Sequence, residues 1–322
     1  MIDSLPIESD EKFACVVFSG FDLAFAGVPT LMRLGRGRWT SDTLPFSLDD
    51  WWRDQLGKIV VERLEEYSNF VLTSKASSPD EDERLLLNRV EWLLWGIAIS
   101  AGIPTFELAR AIFGRVGQGV PRIHVGSVPS LFRSHGLERP RAEPDDFMRA
   151  ARFADRIEEM YRRKREHPRL YWRALSGFAA FRLAAQTPHG ESRLHQFVRA
   201  IESFLPASVF GERKFVEYGK IFLSQHDESA ELLAEMYRLR NKTEHHEHFE
   251  EARLSGSVPE ETANRRTRQA EALCRELFRR LFTESAGFLD WYRDTAAIER
   301  FWEDPASVRD TWGNAFDLQS VA

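Results

Sequence analysis

From Pro168 onwards apolar residues return every three or four positions, interrupted only by short breaks, and that period demands packed helices. Leu170 to Ala185 carries Tyr171, Leu175, Phe178 and Phe181 on one face, until Thr187-Pro188-His189-Gly190 breaks the run. Glu191 to Leu205 carries Leu194, Phe197, Val198, Ile201 and Leu205, and Pro206 ends it. Glu212 to Leu223 forms a third segment. Asp227 can cap a fourth, which contains Leu232, Leu233, Met236 and Leu239. Ser255 to Pro259 separates it from a fifth, Glu260 to Phe282. Breaks this short favour an antiparallel helical bundle.

The first half is different in texture, and the spacing predicts a mixed α/β or α-rich region. Phe13 to Ser19 is a compact apolar run of strand character, and Gly27, Pro29 and Gly35 punctuate short strands and turns. Trp51, Trp52, Leu56, Ile59, Val60, Leu64 and Tyr67 predict one amphipathic helix; Asp80 to Gly102 predicts a second, and Phe106 to Phe113 a short third. Gly114 to Pro144 reads as linker or loop with a strand-like piece at Arg122 to Val125, and Asp145 to Arg165 as a helix ending in the basic run Arg162 to Arg165. Such a run is usually a solvated helix end; contact with nucleic acid is the alternative. The fold class expected is mainly α, with a mixed region over 1–150, a helical bundle over 151–285 and an aromatic tail over 286–322 that docks on the body.

Charge and cysteines limit what this chain can do. With 44 basic and 50 acidic residues the formal charge is −6, which argues against a protein that coats nucleic acid but allows one local basic groove. Cys15 and Cys274 stand alone, so no disulfide framework or zinc ribbon follows. The acidic start, MIDSLPIESDEK, is not a signal peptide. The most apolar stretch, Trp92 to Ile103, falls short of the ~20 residues that span a bilayer, so no membrane partner and a cytoplasmic location are expected.

The fourth helix changes character at Arg240. Its apolar stripe runs to Leu239, and Arg240 to His248 then contains no large apolar residue. Asn241 and His245, four apart, share a helix face, and the long Arg240 side chain can swing to it. A neutral His can take the proton of an RNA 2′-hydroxyl at cell pH. An Arg offers a planar fork to the phosphate as charge builds. Asn241 could orient either group. No metal or other cofactor is required.

The string Tyr237-Arg238-Leu239-Arg240-Asn241-Lys242-Thr243-Glu244-His245 resembles the signature of the HEPN superfamily: Arg, a polar residue, three more, then His. Arg193 to Glu202 resembles the second helix of the Apea-like HEPN subgroup. The resemblance covers Pro168 to Thr283 and takes nothing from residues 1–150. It implies a helical bundle, a homodimer whose two motifs face across a cleft, and RNA cleavage leaving a 2′,3′-cyclic phosphate and a 5′-hydroxyl. It also implies a toxin or antiviral effector, with an antitoxin or regulatory protein as a possible partner. Arg240, Asn241 and His245 are the catalytic candidates; His246, Glu202 and Arg199 are auxiliary candidates.

Other readings compete. Arg240 and Glu244 could form a surface salt bridge, and Asn241 could be a polar filler. Glu202 and Arg199 could face the cleft, or could be an intrahelical pair or a bridge between helices. His245, His246 and His248 with Glu244 could chelate zinc, although His246-Glu247-His248-Phe249-Glu250 is not the H-E-x-x-H of zinc proteases. His246 is otherwise a neighbour that tunes charge. Gly114 to Gly119 lacks the Walker Lys and reads as a loop rather than a phosphate cradle. The whole module could also be non-catalytic, binding nucleotide, RNA or a protein partner.

Overall fold

The structure, a computed structural model, describes residues 7, 11–18, 31–46, 48, 50–67, 70–101, 109–115, 122–127, 142–206, 211–222, 227–244, 260–304 and 316–321. It is mainly helical with a small antiparallel sheet near the N-terminus. The chain divides into two compact units, residues 1–131 with 138–155, and residues 132–137 with 156–322. The second unit includes the aromatic tail.

In the first unit six strands stand in the order β2-β3-β4-β1-β5-β6, every neighbouring pair antiparallel. They are β1 (Lys12–Phe18), β2 (Leu31–Arg33), β3 (Arg38–Ser41), β4 (Phe70–Lys75), β5 (Ala109–Arg115) and β6 (Arg122–Ser127). In the central strand β1, Cys15 lies opposite Thr73 on one side and Ile112 on the other. Phe13, Cys15 and Val17 cluster with Trp52, Val61 and Leu64 from α1 (Asp50–Leu56) and α2 (Lys58–Tyr67). The alternate residues Ala14 and Val16 are equally buried, and α3 (Glu83–Ala101) packs on β1, β4 and β5. Two covered faces explain why β1 is apolar throughout instead of alternating.

Two sequence expectations need correction here, and two strands went unread. The single helix over Trp51 to Tyr67 is two, because Gly57 takes φ +79, ends α1 by donating to the Arg53 carbonyl, and lets α2 start from its own carbonyl. Ala109 to Arg115 is a strand where a helix over Phe106 to Phe113 was expected; residues 102–108 lie outside the described set. A short apolar run carries no decisive period, and pairing along the whole of β1 settles it. Strands β3 and β4 carried no recognised signal. Arg38, fully buried in β3, hydrogen-bonds Asp155 and is too polar to read as a strand residue.

Helix α4 (Pro144–Glu166) opens with Asp145 and Asp146 in its first turn. Two of the four cations in the basic run at its end are in ion pairs: Arg162 with Glu159 at 2.7 Å and Glu166 at 2.8 Å, and Arg163 with Glu159 at 2.6 Å.

The second unit packs around α6 (Gly190–Glu202). Helices α5 (Trp172–Gln186), α8 (Asp227–Glu244) and α9 (Glu260–Arg279) lie against it, and α7 (Glu212–Phe222) lies on α8. Leu194, Phe197, Val198 and Ile201 of α6 are fully buried, each worth about 1.5–3 kcal/mol over exposure. Phe204, just past α6, packs edge-on against Phe278 of α9 at 5.1 Å. A single π-helical turn, Arg280–Glu284, follows α9. The tail then forms α10 (Phe288–Trp291) and α11 (Thr295–Glu303), with Asp294 capping α11 through the Ala297 N–H. Cys15 and Cys274 are buried free thiols, and burial pushes both up from the ordinary range. Among the described residues no helix is long and apolar enough to cross a membrane.

Candidate functional site

Helix α8 buries Leu233, Met236, Tyr237 and Leu239 against its neighbours, which aims Arg238 outward and Arg240 along the seam with α6. Arg238 is exposed and pairs with Glu212 of α7 at 2.6 Å and with Glu231 at 3.0 Å. Two residues further along α8, the Arg240 side chain is only 14% exposed. The Arg240 guanidinium donates from Nη1 to Asn241 Oδ1 at 2.9 Å and from Nη2 to Glu202 Oε2 at 3.2 Å. It also lies over the Tyr237 ring, 5.5 Å from the centroid. An amide, a carboxylate and an aromatic face thus converge on one cation.

The structure therefore brings together Arg240, Asn241 and Glu202. Glu202 bridges α6 and α8, whereas Arg199 is exposed on α6, one turn back. His245, His246 and His248 lie outside the described residues, as do the side chain of Glu244 and most of the Gly114 to Gly119 loop. The zinc alternative falls on those same histidines. Among the described residues no group of three His, Cys, Asp or Glu side chains is placed to hold a metal ion. Although Arg240 lies past the apolar stripe of α8, the seam with α6 covers most of its side chain.

Glu202 ends a helix, and the end of that helix is unusually well supplied with donors. A helix C-terminus leaves its last carbonyls without intrahelical partners. Here Ser203 N–H serves the Arg199 carbonyl at 3.1 Å, Ser203 Oγ the Ala200 carbonyl at 2.6 Å, and Phe204 N–H the Ile201 carbonyl at 3.0 Å. Arg173, at the start of α5, spans the next turn: Nη2 donates to the carbonyls of Glu202 at 2.9 Å and Leu205 at 2.8 Å, and Nε to that of Ser203 at 3.2 Å. The Phe204 carbonyl takes two donors from the tail, Tyr292 Oη at 3.1 Å and Trp302 Nε1 at 2.9 Å. Every carbonyl from Arg199 to Leu205 is accounted for. Sequence reasoning missed Arg173, Tyr292 and Trp302; the one available signal was an Arg in the first turn of a mostly apolar helix.

No family model, no curated protein and no solved structure matches this chain.

Proposed function

We propose that the C-terminal end of α8 is a metal-independent RNA-cleaving site of HEPN type, on a HEPN-like antiparallel bundle, completed when two copies of the chain meet. The observation that carries this reading is the Arg240 guanidinium, fixed in plane by Asn241 and Glu202 at the start of the Arg-Asn-x-x-x-His motif. A pre-oriented Arg is worth more to a developing phosphorane than a mobile one, because no reorganisation is needed as the charge appears. His245 takes the 2′-hydroxyl proton, the 2′-oxygen bonds to phosphorus, and the bond to the 5′-oxygen breaks. An acid, His245 of the second copy, returns a proton to that 5′-oxygen. The products are a 2′,3′-cyclic phosphate and a 5′-hydroxyl. A toxin or antiviral role, with a regulatory partner protein, goes with this reading.

The same ion pair supports a second one. An Arg satisfied by a carboxylate on the neighbouring helix can be purely structural, and the module then binds nucleotide, RNA or a protein without turnover.

Purified protein incubated with total RNA in EDTA separates the two. Cleavage is expected to persist in EDTA and to vanish in His245→Ala. Loss of cleavage in EDTA with recovery on zinc addition would replace this mechanism with the His245–His248 metal site. RNA left intact by wild-type protein in every buffer would leave the binding module.

A further inference from the structure

Two separate parts of the second unit converge on the four residues that follow Ile201. Arg173 comes from α5; Tyr292 and Trp302 come from the tail, 88 and 98 residues after Phe204. Their donors fall on Glu202, Ser203, Phe204 and Leu205, the turn that carries the Glu202 carboxylate towards α8. One donor for each stray carbonyl would satisfy folding. Instead the Phe204 carbonyl has two, and a single guanidinium fork straddles three residues. Gly177 of α5 is pressed against the same turn, where an added Cβ would sit 2.9 Å from Phe204 Cε2 and clash with the Ser203 hydroxyl.

We propose that Arg173, Tyr292 and Trp302 are positioning residues for Arg240, acting through Glu202. The Glu202–Arg240 contact is 3.2 Å, near the long end of the hydrogen-bond range, so a backbone shift of a few tenths of an ångström at Glu202 releases it. Once released, the guanidinium loses the tie that holds it to α6 through Glu202 beside Asn241 and the Tyr237 face. The inference rests on the reading that Arg240 meets a phosphate, but the positioning itself can be measured without any RNA.

The test uses the full chain and three conservative variants, Tyr292→Phe, Trp302→Phe and Arg173→Lys. The first readout is the rate at which p-hydroxyphenylglyoxal modifies Arg240, followed by mass spectrometry, with exposed Arg199 as internal reference. All three variants should raise the Arg240 rate towards that of Glu202→Gln while Arg199 stays constant. Leu277→Val, a core trimming in α9, should leave the Arg240 rate unchanged; an equal rise there would reduce the effect to lost packing and overturn the proposal. The second readout is cleavage of single-stranded RNA: kcat should fall about tenfold or more with KM nearly constant, as expected for a misplaced catalytic group. Unchanged Arg240 modification in folded Tyr292→Phe and Arg173→Lys sinks the proposal even if wild-type protein cuts RNA. A raised Arg240 rate in a protein that cuts no RNA leaves the clamp standing and removes the nuclease reading instead.

Discussion

Arg240 is both a candidate catalyst and a packed residue, and the two roles separate by substitution. Arg240→Ala should abolish cleavage and also cost about 1–3 kcal/mol in denaturant unfolding, since Glu202 loses a charged hydrogen bond in a mostly covered seam. Arg240→Lys should recover most of that stability and little of the cleavage, because an ammonium cannot reach Asn241 and Glu202 in one plane. Asn241→Ala should weaken cleavage less than either. A second test concerns acid. Hydrogen bonds from Arg162, opposed by partial burial and reinforced by Arg163, hold the Glu159 carboxyl down to about 2. A depressed folded value means stability that is present above the ordinary carboxylate range and is lost as pH falls towards 2. Glu159→Gln should therefore flatten the acid limb of the stability curve over that window, read by thermal melts from pH 5 to 2. The residues legible beforehand were those whose spacing has chemical meaning on one helix, Arg240 and Asn241, with Glu202 an auxiliary candidate. Arg173, Tyr292 and Trp302 were not, because their targets are backbone carbonyls far along the chain, and a carbonyl has no letter in a sequence.

At the level of elements, helices α5 to α9 were legible to within a few residues, since each buries an apolar stripe against α6 or α8 and the stripe writes its own period; α10 and α11 in the tail were not. The sheet was not. Strand β5 has seven residues with no clear alternation, β3 contains a buried Arg, and both are defined by partners more than thirty positions away or by the β1 register. Local spacing holds no record of such pairings. Gly57 shows the opposite failure: one residue at positive φ splits what the period alone joins. The close approach of α5 to the end of α6 makes Gly177 the most sensitive position of these elements. Gly177→Ala should destabilise the second unit by about 1–3 kcal/mol in chemical denaturation despite raising helix propensity, because the added methyl has nowhere to go. A neutral or stabilising result would mean that the Ser203–Phe204 turn can yield, and would weaken the case for a rigid clamp.

For the whole molecule, the chain folds as two units, and the motif, its auxiliary Glu202 and the aromatic tail all belong to the second. A net charge of −6 leaves little broad attraction for RNA, which counts against a protein that coats it. If two copies share one cleft, with one His245 as base and the other as acid, mixed dimers of wild-type and His245→Ala chains should cut RNA far more slowly than wild-type dimers. A mixed dimer that keeps half the wild-type rate would show that each chain works by itself. The carbonyl of Phe204 finally carries a meaning in time. Its donors are translated 88 and 98 residues after it, an interval of about 5–20 s at ordinary elongation rates. Arg173 precedes it and can bind at once, so the turn forms early and is locked late. Arg240 itself is made 52 and 62 residues before those donors, so the lock on its Glu202 partner closes well after the guanidinium exists.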